Sequence, residues 1–404
     1  MAEPLSVPVV LDISRTVSRL GLGAGTGIDR VERAYLDEVL ARVENPIFLT
    51  RLTKALAVLD REGISDLLDL QATGAGYPLD LIARLSRRVA SERRMAESLI
   101  RARALRWSWL PSRQRLVENW LPDKALYLNV GHAHLSSGLF ATLGGRGTRS
   151  VVLIHDMIPL DYPEFTRSDT VRSFEQKMKV VSARADTVIC NSDHTAQRVT
   201  DWMSQWGRVP DLVVAPLGIP PLPEQPPAPV GGPSAFAVLG TIEPRKNHAL
   251  LLDIWERFHK VLPPGDIPRL HIIGRRGWQN SAVFQTLDSA PFMGDTVIEH
   301  GFVDDAEVRA IVAGCRAVLF PSFAEGFGYP IAEALQLGVP VLASDLPSLR
   351  EIAGAAATYL PPSDRDAWTR CILAGLDTPA PNRQPMHFPD WDAHFETVWK
   401  ALDR

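Results

Sequence analysis

Cysteine is scarce in this chain of 404 residues. Cys190, Cys315 and Cys371 lie far apart, and no two form a Cys-x-x-Cys pair. Their spacing excludes a zinc-ribbon pattern or a disulfide framework and points away from an oxidising compartment. Lysine is nearly as scarce: of 43 basic residues, seven are Lys. No run of about 18 apolar residues occurs, so no transmembrane helix is expected. The start, Met-Ala-Glu-Pro, has neither a basic region nor an apolar core, so no secretory signal is expected either. Positive charge is not in surplus. The net charge is −4, which argues against a nucleic-acid partner, because backbone phosphate binding draws on a basic excess. The expectation is a cytoplasmic protein, at most peripheral to the inner face of a membrane. What is present is ample apolar material, 46% of residues, and length for two or three domains of about 150 residues.

The chain opens with an apolar run, Val7–Ile13, that reads as a buried strand. A glycine-rich loop follows (Gly21, Gly23, Gly25, Gly27), then helical spacing over Ile28–Val43. These glycines do not fit Gly-x-Gly-x-x-Gly, so they give no dinucleotide fingerprint. Residues 79–106 read as one arginine-heavy helix, followed by Trp107 and Trp109. Such a segment either lies on anionic lipid or is a solvated face. Strands at Leu126–Asn129, Val151–His155, Asp186–Asn191 and Leu212–Ala215 then alternate with helical stretches, a rhythm that predicts a parallel sheet. The stretch Gly218–Pro233 is too rich in proline for a helix or a central strand. A second βαβ series starts at Ala235. The expected organisation is α/β: a first domain over 1–219, a linker over 220–233, a second domain over 234–385. A helical tail over 386–404 would pack back on the first domain.

Chemistry concentrates in the second half. Phe320-Pro-Ser-Phe-Ala-Glu-Gly-Phe-Gly-Tyr-Pro places Glu325 in the loop beyond a strand's C-terminal end, where open α/β sheets bind ligands. Gly326-Phe327-Gly328 permits a close backbone approach, and Pro330 suits the start of a helix. That helix would aim free N–H groups and a positive dipole at an anion such as a diphosphate. Glu333 sits one turn further on. Upstream, Gly240-Thr-Ile-Glu-Pro-Arg-Lys-Asn-His also follows a strand and offers Arg245 and Lys246 as cations for the same anion. No acidic Asp-x-Asp-type cluster that would hold a metal stands beside these motifs, so no metal and no cofactor is expected.

Together these motifs resemble the donor domain of the large retaining GT-B glycosyltransferase family called family 4, over roughly residues 235–362. The Glu325–Glu333 pair is similar to its E-x7-E motif, and Gly240–Asn247 to its phosphate loop. Gly338-Val-Pro-Val-Leu-Ala-Ser and Leu349-Arg-Glu-Ile are similar to the segment that follows. The first half resembles the family through Ile154-His-Asp-Met-Ile-Pro-Leu and Asn191-Ser-Asp-His-Thr. Such sequences are similar to bacterial mannosyltransferases of polysaccharide assembly.

The resemblance implies a GT-B fold, two doubly wound Rossmann-like domains facing each other across a cleft. It also implies roles. Glu325 would hold donor-sugar hydroxyls and Glu333 the ribose, while Arg245 and Lys246 neutralise the diphosphate. Gly240, Phe327 and Gly328 would approach sugar and phosphate, and His155 would face the sugar from the first domain. Arg275 and Phe302 lie where base contacts are made, and Gly27 joins the nucleotide-side set. Many members carry an Arg directly after the phosphate-loop glycine; here Thr241 stands there. The implied reaction moves a hexosyl group, mannosyl from GDP-mannose as first choice, to a saccharide or lipid-linked acceptor. A UDP-sugar donor, and a non-catalytic nucleotide-sugar binder, stay open. Asn129, His132 and His134 either line the acceptor side or are satisfied loop groups. Asp156 would orient His155.

Overall fold

The structure is a computed structural model that describes residues 7–22, 25, 27–222, 234–377 and 384–403. Gly23 of the glycine loop and residues 223–233 of the proline-rich stretch lie outside the described residues. Two sheets organise the chain. The first holds β1 (Val9–Asp12), β2 (Ile47–Arg51), β3 (Ala55–Leu59), β4 (Arg106–Trp109), β5 (Leu126–Asn129), β6 (Arg149–Ile154), β7 (Thr187–Cys190) and β8 (Asp211–Val214). Their order is β4-β3-β2-β1-β5-β6-β7-β8. The second holds β9 (Ala235–Leu239), β10 (Arg269–Ile273), β11 (Val297–Gly301), β12 (Ala317–Phe320), β13 (Val341–Ser344) and β14 (Ala357–Leu360), in the order β11-β10-β9-β12-β13-β14.

The second sheet is parallel throughout. Its central strands β9 and β12 are buried at every position, as helix-covered parallel strands must be. The first sheet corrects the all-parallel expectation. β2, β1, β5, β6, β7 and β8 run parallel, but β3 and β4 add an antiparallel edge. The cause is local: the link Leu52–Lys54 is far too short for a crossover, and Leu52 N–H closes it on the Ala55 carbonyl at 2.8 Å.

The single helix expected over 79–106 is also corrected. The segment makes two helices, Leu81–Leu85 and Ser91–Arg103, and then turns into β4, which carries Trp107 and Trp109. Asp80 caps the first helix by accepting from Ala83 N–H. Arg101 is buried, paired to Asp80 at 2.5 Å and to Glu97 at 3.5 Å. Arg93 also pairs with Glu97, so part of the arginine content is internal wiring.

Past β8 the chain crosses to the second domain beside the returning segment. Ile219 N–H donates to the Pro389 carbonyl, and a Cβ at Gly218 would lie 2.4 Å from the Trp391 backbone nitrogen. The final helix, Trp391–Leu402, packs Phe395, Val398, Trp399 and Leu402 into the first domain's core with Tyr35 and Phe48. Trp399 Nε1 donates to Glu38 at 2.7 Å, and the Tyr35 hydroxyl meets His394 Nε2 at 2.9 Å. This packing sets the first and second domains side by side, with their strand C-terminal ends toward one cleft. Among the described residues no helix is long and apolar enough to cross a membrane.

Candidate active site

β9 ends at Leu239, and Gly240 follows with a φ of +128° that is open to glycine and strained for other residues. A single 3-10 turn, Pro244–Lys246, then delivers Arg245 and Lys246, and Asn247 in a left-handed conformation starts the next helix. Asn247 fixes this turn by donating to the carbonyls of Pro321 and Pro362. The loop after β12 lies against it, with Phe323 N–H donating to the Arg245 carbonyl at 2.8 Å.

These two loops build a buried charge cradle. Lys246 Nζ donates to Glu325 Oε1 at 2.7 Å, and Arg245 Nη1 meets Oε2 at 3.0 Å. Arg245 also binds Glu243 at 2.8 Å and donates to the Ala324 carbonyl at 2.6 Å. Lys246 sits 4.5 Å from the centre of the Phe320 ring. Burial alone would raise the Glu325 carboxyl; Arg245 and Lys246 overcome it and hold the carboxyl at about 2. Burial and the neighbouring Arg245 lower the Lys246 pKa, while Glu325 works the other way. Lys246 keeps two N–H donors beyond its bond to Glu325. Arg245 has nearly all of its donors committed.

The helix Tyr329–Gln336 starts directly behind Glu325. Gly328 precedes it at φ +100°, and a Cβ there would lie 2.8 Å from Leu349 Cδ2. Phe327 is buried and stacks edge-on with Tyr329 at 5.2 Å. Ser348 Oγ donates to the Glu325 carbonyl at 2.8 Å, bracing the loop from the next helix. Glu243, Glu325, Arg245 and Lys246 thus meet at one sheet edge beside the start of this helix, where Pro330 has no N–H and those of Ile331 and Ala332 turn back on the Gly328 carbonyl.

Residues 233–378 match the family model described as Glycosyl transferases group 1. The serotype-specific mannosyltransferase WbdA of Escherichia coli is 29% identical over 277 residues, 63% of this chain and 34% of WbdA. The O-antigen chain mannosyltransferase B of Escherichia coli is 30% identical over 239 residues, 56% of this chain and 61% of that protein. The chain therefore spans about a third of WbdA's length. A sucrose-phosphate synthase from Thermosynechococcus elongatus superposes with a TM-score of 0.59 at 16% identity, over 98% of this chain and 96% of that one. The fold is GT-B, and the residues that match the group 1 model, 233–378, lie in its second half.

The first domain meets this matched stretch closely. His155 follows β6 and is buried; its Nε2 donates to the Val130 carbonyl at 2.7 Å, which leaves Nδ1 as the bare nitrogen. Burial lowers its pKa to about 4, so the ring is neutral. A Cβ at Gly326 would lie 2.6 Å from the His155 carbonyl oxygen, so glycine is what lets the two domains touch here. Asp156 does not orient the His155 ring: its carboxylate accepts from Ile158 N–H. Phe165 stacks on Phe323 across the cleft at 5.2 Å. Glu351 accepts from the first-turn N–H groups of Asp193 and His194.

Glu333 stands apart from the cradle. It pairs with Arg30 of the first domain, a residue that the reading of the helix 28–43 passed over because only apolar spacing was followed. Arg275 Nη1 crosses to the Leu22 carbonyl at 2.7 Å. Gly27, at the start of helix Gly27–Arg42, faces Tyr329, with a built Cβ 3.5 Å from its ring. Phe302 follows β11 and is 69% exposed, away from the charge cradle. Glu243, the second carboxylate on Arg245, was in plain view within the phosphate loop. Among the described residues no group of three or more His, Cys, Asp or Glu side chains is placed to hold a metal ion.

Proposed function

We propose that this chain is a retaining glycosyltransferase of family 4 that moves a mannosyl group from GDP-mannose to a saccharide or lipid-linked saccharide in polysaccharide assembly. The observation that carries this reading is the buried Glu325 clamped between Arg245 and Lys246 at the head of helix Tyr329–Gln336. The mannosyltransferase relatives support the choice of sugar.

Breaking a glycosyl–phosphate bond puts positive charge on the sugar and negative charge on the diphosphate. In this reading the helix N-terminus and Lys246 stabilise the leaving diphosphate without reorganising, and no metal is required. Arg245 acts mostly by fixing Glu325, since its own donors are taken. Glu325 holds sugar hydroxyls with its remaining acceptor capacity. Glu333 accepts from the ribose once Arg30 yields it. His155, neutral and with Nδ1 bare, faces the sugar as an acceptor. The acceptor hydroxyl attacks from the side the diphosphate leaves, and a phosphate oxygen takes its proton, so Glu325 is not a nucleophile.

The test is incubation with GDP-mannose and a mannosyl acceptor, read by NMR for product and its anomeric configuration. An α-linked product that Glu325→Ala abolishes supports the reading. A β-linked product, transfer from UDP-sugars only, or binding without transfer contradicts it.

We also propose that the first domain works against the anionic inner face of a membrane. Helix Leu81–Leu85 exposes Leu81 and Leu85 at 75% and 81%, beside the exposed Arg84, Arg87 and Arg88. Apolar side chains ringed by cations match an anionic lipid surface.

A further inference from the structure

A cationic floor lies on the first-domain wall of the cleft, opposite the Glu325 cradle. Lys177, on helix Ser168–Arg184, is half-buried, and its ammonium donates to the His132 carbonyl at 3.0 Å. Glu175 of the same helix is taken by Lys179. Arg51 ends β2, where its backbone N–H is held by the Ser14 hydroxyl at 2.8 Å. Arg15, next to Ser14, packs against the loop after β5: a Cβ at Gly131 would lie 2.8 Å from Arg15 Cβ. The ends of β1, β2 and β5 thus bring Arg15, Arg51 and the His132 carbonyl to one sheet edge, and Lys177 reaches it from the flanking helix.

Like charges converge there. Burial, and then repulsion from Arg15 and Arg51, lowers the Lys177 pKa. Arg15 is met by Asp29 at 2.9 Å. Among the described residues no carboxylate pairs with Lys177 or Arg51, so the surplus charge rests on these two. The His132 ring lies 5.1 Å from the His155 ring, which sets the surplus beside the histidine read as facing the donor sugar.

We propose that Lys177 and Arg51 form a subsite for an anionic group, phosphate or carboxylate, carried by the saccharide acceptor. This rests on the transferase reading above and narrows its acceptor class. A neutral sugar gives two unpaired cations nothing to neutralise, whereas an oxyanion accepts from both the ammonium and the guanidinium. The acceptor's reacting hydroxyl then lies toward His155, and the ternary complex holds one anion on each wall of the cleft.

The test is calorimetry on the full chain saturated with GDP, titrated with methyl α-mannoside, mannose 6-phosphate and glucuronic acid. At least one anionic sugar is expected to bind about tenfold or more tightly than the neutral one, as a charge-assisted bond should give. The tighter arm names phosphate or carboxylate as the source. Lys177→Gln/Arg51→Gln, checked for a wild-type melting temperature, should erase the preference, and Lys177→Arg should keep it. Equal affinity for all three sugars, or a preference lost only in Lys246→Ala, overturns the subsite. GDP binding is read in the same experiment. If GDP does not bind, the donor reading fails, while an anion preference that follows Lys177 and Arg51 still supports the subsite.

Discussion

Arg30 of the first domain and Glu333 of the second form an ion pair across the cleft, with Asp305 as a second partner for the same guanidinium at 3.3 Å. The carboxylate read as the ribose acceptor is therefore occupied by an internal cation, and a nucleotide must displace it. The pair is partly exposed, so it is worth at most about 1 kcal/mol. Arg30→Ala is expected to tighten GDP binding about two- to fivefold in calorimetry. Weaker binding in that variant would mean that Arg30 itself contacts the nucleotide.

The cradle makes a graded prediction. Lys246→Ala removes the cation with spare donors and should weaken nucleotide-sugar binding about 10- to 100-fold. Glu325→Ala strands Arg245 and Lys246 without their shared carboxylate. It should end turnover and destabilise the fold by about 3–5 kcal/mol, read by urea unfolding. Arg245→Lys should be milder for binding than Lys246→Ala. The reverse order would contradict the assignment of Lys246 as the cation with the larger share.

Two buried carboxyls give opposite pH signatures. Glu325 is held at about 2, below its ordinary 4.5, so its contribution is full above about pH 4.5 and declines as pH falls toward 2. Burial raises Glu32 to about 8; its Oε2 accepts from Thr16 and its Oε1 is unsatisfied. The folded state then holds a proton that the unfolded chain has lost. Stability falls as pH rises from about 4.5 to about 8 on this account. Glu32→Gln should raise the melting temperature at pH 8.5 and leave it nearly unchanged at pH 4.5. A variant less stable at pH 8.5 would show that the ionised form is the one the fold accommodates.

The lipid-facing proposal has a direct check. Leu81→Glu/Leu85→Glu should reduce sedimentation with phosphatidylglycerol vesicles at least tenfold and leave GDP binding intact, because both side chains point into solvent. Wild-type sedimentation in the variant would refute the contact.

How legible all this was in the sequence depended on burial. β9 and β12 are short apolar runs bounded by turn residues, and the sequence pattern located both, at Ala235 and just before Glu325. β2 and β3 were missed because a tight charged turn, Thr53-Lys54, interrupts them, and antiparallel edges do not follow the βαβ rhythm. β4 was hidden by arginine spacing that looks helical up to Arg106, the strand's first residue. In the site, the reading named Glu325, Arg245 and Lys246 from their place beyond strand ends. The Arg30–Glu333 pair joins residues 303 apart in sequence and depends on how the two domains dock. Lys177 reaches the cleft only because its helix crosses behind His132, a relationship no local pattern encodes.

The most direct test of the central claim, that the Lys246–Glu325–Arg245 cradle receives the diphosphate of a nucleotide-sugar, is a thermal-shift series. GDP-, UDP- and ADP-sugars are compared with and without magnesium, on wild type and Lys246→Ala. The predicted result is a clear rise in melting temperature with GDP-mannose, independent of magnesium and largely lost in Lys246→Ala. No shift with any nucleotide-sugar, or a shift that Lys246→Ala leaves unchanged, would contradict it.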